Sequence, residues 1–216
     1  LRSLSWGAAA ITLLLTTVLA LPGQAPEPPE ASDSFRVGTY NIHYGYDSEW
    51  RFSLEEQART IEQSGADIVM LQEVDAGRIT SYGVDDALWL ARRLGMQQVF
   101  GPALEELSGV ALLSRFPITD SDTAQLASEL EQTAIVHARV RLGTPAPDAG
   151  EAIDAEPLLD AYATWLGLEP DERARQLQDA LRVIGDATPA VLGGDFNATP
   201  GSPTYEAIQG AGFVDP

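Results

Sequence analysis

Ala190-Val191-Leu192-Gly193-Gly194-Asp195-Phe196-Asn197 is an apolar run that stops abruptly on two polar side chains. It reads as a buried strand. Residues i and i+2 of an extended segment point the same way, so Asp195 and Asn197 can face one pocket. The paired glycines permit a tight turn or a close approach. Sheet ends of this kind are where α/β enzymes place their chemistry.

Two further strand ends repeat the design. Phe35-Arg36-Val37-Gly38-Thr39-Tyr40 runs into Asn41-Ile42-His43, and Asp67-Ile68-Val69-Met70-Leu71 into Gln72-Glu73-Val74-Asp75. Three apolar strands thus deliver Asn41, Glu73, and Asp195 with Asn197. Carboxylate and carboxamide oxygens suit a hard cation such as Mg²⁺ (or Mn²⁺), which takes few protein ligands and keeps several waters.

Between these strands the helix signals alternate. Ser53 with Glu56 forms a capping-box pattern ahead of Leu54, Ala58 and Ile61, and Gly65 stops the run. A second helix starts near Val84, with acids in its first turn, Arg92 and Arg93 in its last, and Gly95 as its exit. Pro170-Asp171-Glu172 opens a third, with Ala174, Leu177, Leu181 and Ile184 on one face, and residues 202–210 suggest a short fourth. Apolar runs at 97–100, 109–113, 134–141 and 158–165 read as strands, and the Pro-, Gly- and acid-rich stretch 142–157 as an exposed connection.

Upstream, Leu4 to Leu21 carries no charge. That length is at the short end of a membrane-spanning helix, about 17–25 residues. A signal sequence is the alternative, with Val18-Leu19-Ala20 as its small-residue site. Arg2 would leave the globular part on the non-cytoplasmic side. The expected domains are therefore a transmembrane helix or signal anchor at 1–21, a Pro- and Glu-rich linker at 22–34, and a globular domain at 35–216.

Composition narrows the chemistry. There is no cysteine, so thiolate metal sites and disulfides are excluded. The formal charge is −19, with 13 basic against 32 acidic residues. Affinity for DNA rests heavily on Lys and Arg at phosphates, so nucleic acid is not the expected partner.

Thr39-Tyr40-Asn41-Ile42, Leu71-Gln72-Glu73-Val74 and Gly193-Gly194-Asp195-Phe196-Asn197 resemble three motifs of the endonuclease/exonuclease/phosphatase superfamily, in the family's order. Gly109-Val110-Ala111-Leu112-Leu113-Ser114-Arg115-Phe116-Pro117-Ile118 and Arg173-Ala174-Arg175-Gln176 extend the likeness over residues 35–216. The stretch from Gly83 to Met96 is most similar to a membrane-attached branch, itself similar to the C-terminal domain of membrane proteins that remodel the lipid of GPI anchors. The resemblance implies a four-layer α/β/β/α sandwich of two mixed sheets flanked by helices. It also implies divalent-metal-dependent hydrolysis of a phosphodiester or phosphomonoester. In those terms Glu73 is the first metal ligand and Asn41 assists at the metal or phosphate. Asp195 orients and deprotonates the attacking water, and Asn197 holds a phosphate oxygen or the Asp195 carboxylate.

The sequence departs from the family twice. Where a Thr-His-Leu triplet is usual, Thr164-Trp165-Leu166 stands, and an indole offers one N–H and no titratable group. The family's closing Ser-Asp-His motif is not present before Pro216, and Leu1 is not a Met. The expectation is a chain cut at both ends, without its last strands and with little turnover of its own. His43 and His137 match no catalytic position; His137, on an alternating strand, reads as structural. Asp75, Arg78 and Tyr82 are expected on a loop beside the site. The substrate is expected to be a lipid headgroup or small phosphoester. A catalytically silent lipid- or partner-binding domain and a membrane-bound or secreted nuclease remain as alternatives.

Overall fold

The computed structural model describes residues 34–143 and 157–215. The expected membrane segment and most of the acidic connection lie outside these residues. No helix among the described residues is long and apolar enough to cross a membrane.

Among the described residues, eight strands form two four-stranded mixed sheets. The first contains β1 (Val37–Asn41), β2 (Ile68–Asp75), β3 (Gln97–Pro102) and β4 (Ser108–Ser114), in the order β1-β2-β4-β3. The second contains β5 (Ile118–Gln125), β6 (Ala134–Arg141), β7 (Leu158–Trp165) and β8 (Ala190–Asp195), in sequence order. β1 runs parallel to β2 and β7 to β8, while the other neighbours are antiparallel. Parallel pairs need a crossover connection, and helices supply it in both. These are α1 (Leu54–Ser64) between β1 and β2, and α3 (Pro170–Ile184) between β7 and β8; α2 (Asp86–Leu94) and α4 (Pro203–Gly210) complete the outer layers.

Side-chain alternation sorts the strands into three apolar layers. Val69, Leu71, Ala111 and Leu113 face α1 and α2, whereas Ile68, Met70, Val110 and Leu112 face the second sheet. There they meet Val136, Ala138, Ala161 and Ala163. On the far side Ile135, Tyr162 and Leu192 pack against Leu177, Ala180 and Ile184 of α3. The result is the expected α/β/β/α sandwich. Small alanines on β6 and β7 let the two sheets approach closely.

Several local expectations need correction. Ser53 sits at the α1 N-cap, but its side chain makes no capping bond, so the capping box does not form. Asp85 does cap α2, accepting from the Leu88 N–H at 2.9 Å. In α3 the buried face is Glu172, Gln176, Leu177, Ala180 and Ile184, while Ala174 is exposed. The face rotates because Glu172 and Gln176 turn inward as hydrogen-bonding side chains. Glu172 accepts from the Glu129 and Leu130 N–H groups at 2.6 and 2.9 Å, and Gln176 reaches Ser128 Oγ and the Glu131 carbonyl. Together they strap the β5–β6 loop to α3. Sequence patterning gives no sign of β5. Its Ile118-Thr119-Asp120-Ser121-Asp122-Thr123-Ala124-Gln125 run is polar on both faces because it is an exposed edge strand.

Candidate active site

Strand parity decides which side chains enter the space between the sheets. Tyr40 and Ile42 pack on the helix side of the first sheet, so Thr39 and Asn41 face the second sheet. Val191 packs between the sheets while Ala190 and Leu192 pack on α3, so Gly193 and Asp195 face inward as well. A Cβ built on Gly193 would lie 2.9 Å from Met70 Sδ of the opposite sheet. Asn41 and Asp195 therefore look at each other from the two sheets. Asn41 Nδ2 donates to Asp195 Oδ2 at 3.0 Å.

Glu73 joins them through a break in the ladder. β2 pairs with β4 in one register up to Leu71 and resumes in a shifted one at Val74. The two intervening residues bulge, and Glu73 takes φ +51°, a left-handed conformation that is costly for a residue with a Cβ. The bulge re-aims the carboxylate, and Asn41 Nδ2 donates to Glu73 Oε1 at 2.8 Å. One amide nitrogen is thus shared by carboxylates from two sheets. Asn41 Oδ1 is engaged in turn by the His43 N–H at 2.9 Å, which fixes the amide's orientation.

The remaining expected residues divide. The Asn197 backbone N–H donates to Asp195 Oδ1 at 3.1 Å, but its side chain turns away and donates to the Leu166 carbonyl at 2.7 Å. It acts on Asp195 as a clamp, again at a left-handed φ of +45°. Trp165 is the register partner of Asp195, faces the inter-sheet core and is only 5% exposed. The indole forms an apolar floor beside the carboxylate. His137 lies elsewhere, on the outer face of the second sheet. Its Nε2 is 2.7 Å from Asp160 Oδ1, with Arg139 on the same carboxylate and the Tyr162 ring stacked at 4.8 Å. Asp75 is the buried last residue of β2 and not part of a loop. Its N–H donates to Asp86 Oδ2 at 3.3 Å, and burial pushes both carboxyls up, that of Asp86 to about 7.

Two residues near the site escape sequence reasoning. Burial pushes the Tyr44 phenol up, and the charges of Glu73, Glu131 and Asp75 push it further. It stays a neutral hydroxyl facing a negative centre. Glu131, on the loop strapped to α3, is also pushed up, first by burial and then by Glu73 and Glu172. Tyr44 sits directly after the Asn-Ile-His run, so its neighbourhood is legible. Glu131 is brought in by long-range packing alone.

Among the described residues, no three His, Asp or Glu side chains gather closely enough to enclose a metal ion. The donor set is instead the two half-buried carboxylates of Glu73 and Asp195. That set fits Mg²⁺ or Mn²⁺, hard cations that retain waters, and does not suit a closed zinc site.

The sequence profile described as Endonuclease/Exonuclease/phosphatase family matches residues 38–216. Among solved structures, the chain is similar to an endonuclease/exonuclease/phosphatase from Beutenbergia cavernae DSM 12333, with 21% identity, a TM-score of 0.59, and coverage of 82% of this chain and 53% of that one. A family protein from Leptotrichia buccalis C-1013-b gives 18% identity and a TM-score of 0.60 over 83% and 75% of the two chains. ANGEL2, a 2',3'-cyclic phosphatase, gives 21% and 0.60 over 82% and 56%. At these identities the likeness is one of fold, and the chain spans about half the length of the first of these structures, 53%.

Proposed function

Since the chain belongs to the endonuclease/exonuclease/phosphatase family, we propose that it is the phosphoester-hydrolysing domain of a membrane-tethered, divalent-cation-dependent enzyme. The substrate is a lipid headgroup or another small phosphoester. The observation that carries this reading is the Asn41 amide held between Glu73 and Asp195. Two carboxylates gathered on one amide leave negative charge that a bound cation would offset. The 2',3'-cyclic phosphatase among the structural neighbours supports phosphoester chemistry. The charge of −19 disfavours DNA.

Mg²⁺ or Mn²⁺, when bound, withdraws charge from the phosphoryl oxygens. Glu73, re-aimed by its bulge, would hold the cation. Asp195 accepts the proton of the attacking water. Two donors fix its carboxylate in place, Asn41 Nδ2 on one oxygen and the Asn197 N–H on the other. Trp165 excludes water from the floor of the site. Calorimetric titration of Mg²⁺ and Mn²⁺ into the wild type and Glu73→Gln tests the assignment. The variant is expected to lose most of the affinity, and equal affinity in both would overturn the reading. Hydrolysis of bis(p-nitrophenyl) phosphate by the whole protein should need the cation and vanish in Asp195→Ala.

A second reading is favoured by Trp165. A site without a cationic donor at that position suits a domain that binds phosphoesters without hydrolysing them. Turnover gained by Trp165→His from a silent wild type would select it.

A further inference from the structure

We propose that the aromatic rim on the loops following β1 and β2 is a docking face for a zwitterionic lipid–water interface. The proposal rests on the membrane reading above and names the surface that meets the bilayer.

Both loops leave the strand ends that carry Asn41 and Glu73. The His43 ring packs against Trp50 at 4.4 Å, Trp50 against Tyr46 at 6.1 Å, Tyr46 against Phe52 at 5.5 Å, and Phe52 against Tyr82 at 5.3 Å. The Tyr46 hydroxyl donates to the Thr80 carbonyl and ties the two loops together. The chain of rings therefore runs continuously from the candidate site to the outer surface. Trp50, beside His43, is 68% exposed and Tyr82, at the far end, 75%; Ile79 of the second loop is 96% exposed. Trp50 and Tyr82 hold left-handed φ angles of +59° and +60°. Such strain at bulky, largely exposed residues collects at functional surfaces.

The rings are amphipathic, an apolar body with a polar tip, which is the chemistry of the headgroup level of a bilayer. Charge selects the lipid. Arg51 is paired with Asp47 and Glu49, each at 2.9 Å, and Arg78 with Glu105 at 3.4 Å and Asp75 at 3.8 Å. Neither arginine offers a free cation to anionic lipid, and the chain's net charge of −19 repels it. A neutral, zwitterionic surface remains. The uncharged Leu4–Leu21 run and the short Pro-rich stretch to Ser34 would keep the rim within reach of such a surface.

The chain has no cysteine, so Ile79→Cys and, on α3, Val183→Cys each give one attachment point for an NBD fluorophore. The full chain is reconstituted in phosphatidylcholine bilayers. The Ile79 probe should brighten several-fold, shift to the blue and be shielded from aqueous iodide, while the Val183 probe stays accessible. Adding Trp50→Ser and Tyr82→Ser should return the Ile79 probe to water with the far-ultraviolet spectrum unchanged. Equal iodide quenching at both sites overturns the proposal, as does immersion that requires phosphatidylserine. The readout is independent of turnover. A rim left in water on a chain that still floats with liposomes removes this face and leaves the tethered hydrolase standing.

Discussion

Gly194→Ala tests the geometry that presents Asp195. A Cβ on Gly194 would lie 2.4 Å from the Thr164 carbonyl oxygen and 3.0 Å from Thr164 Cγ2. A carbonyl in a parallel ladder cannot swing aside, so β7 and β8 must separate by about 1 Å to restore an ordinary contact. Separation there pulls on the next residue, Asp195, whose bond to Asn41 is 3.0 Å long. Gly193→Ala is the control. Its Cβ would meet the thioether of Met70 at 2.9 Å, the flexible end of an adaptable side chain. Overpacking against backbone costs about 1–3 kcal/mol. For a chain of this size that lowers Tm by about 2–12 °C. The Gly193 variant should stay within about 1 kcal/mol of the wild type, helped by the alanine's smaller loss of chain entropy. Melting followed by circular dichroism measures the difference, and cation affinity reports the displacement of Asp195. A Gly194 variant melting as the wild type does, with the Gly193 variant lower, would refute the parity assignment of β8.

Other outcomes follow from buried charge. Burial holds Asp86 at about 7 against an ordinary value near 3.8, so the folded state keeps a proton that the unfolded chain releases. That contribution is complete below about pH 4, fades as pH rises through about 7, and amounts to about 4 kcal/mol. Asp86→Asn should therefore flatten the fall of Tm between about pH 4 and about pH 7; an unchanged slope would count against it. Glu172 is shifted the other way, because the Leu130 and Glu129 N–H groups favour its charged form despite desolvation. Its contribution is present above the ordinary glutamate range and is lost as pH falls through the lowered value. Glu172→Gln should loosen the 127–133 loop, read as faster amide exchange at Glu129 and Leu130. Asn41→Asp replaces the shared donor with a third carboxylate, so Tm should fall without a cation and recover more than the wild type does when Mg²⁺ is added. Leu112→Ala, emptying a fully buried position between the sheets, should cost about 2–5 kcal/mol.

The layer structure is legible because strand parity is written in the sequence. Val69 and Leu71 against Ile68 and Met70 divide two cores without reference to anything distant. Asn41 and Asp195 are legible for the same reason, as polar ends of apolar strands. The manner in which Glu73 reaches them is not, because the shift between Leu71 and Val74 depends on how β4 pairs with β2. β5 escapes notice since an exposed edge strand has no apolar face to betray it. The inward turn of Glu172 and Gln176 is hidden by the general rule that polar helix residues face water; only the loop they hold reverses it.

His43, Tyr44, Glu73 and Asn197 all occupy backbone conformations that glycine would adopt without steric strain. A screen that rewarded heat resistance alone would be drawn to these positions, where each replacement by glycine relieves on the order of 1 kcal/mol. At Glu73 such a replacement would also delete the carboxylate. Stabilised descendants of this chain should therefore drift toward inert scaffolds unless selection keeps hold of the chemistry as well.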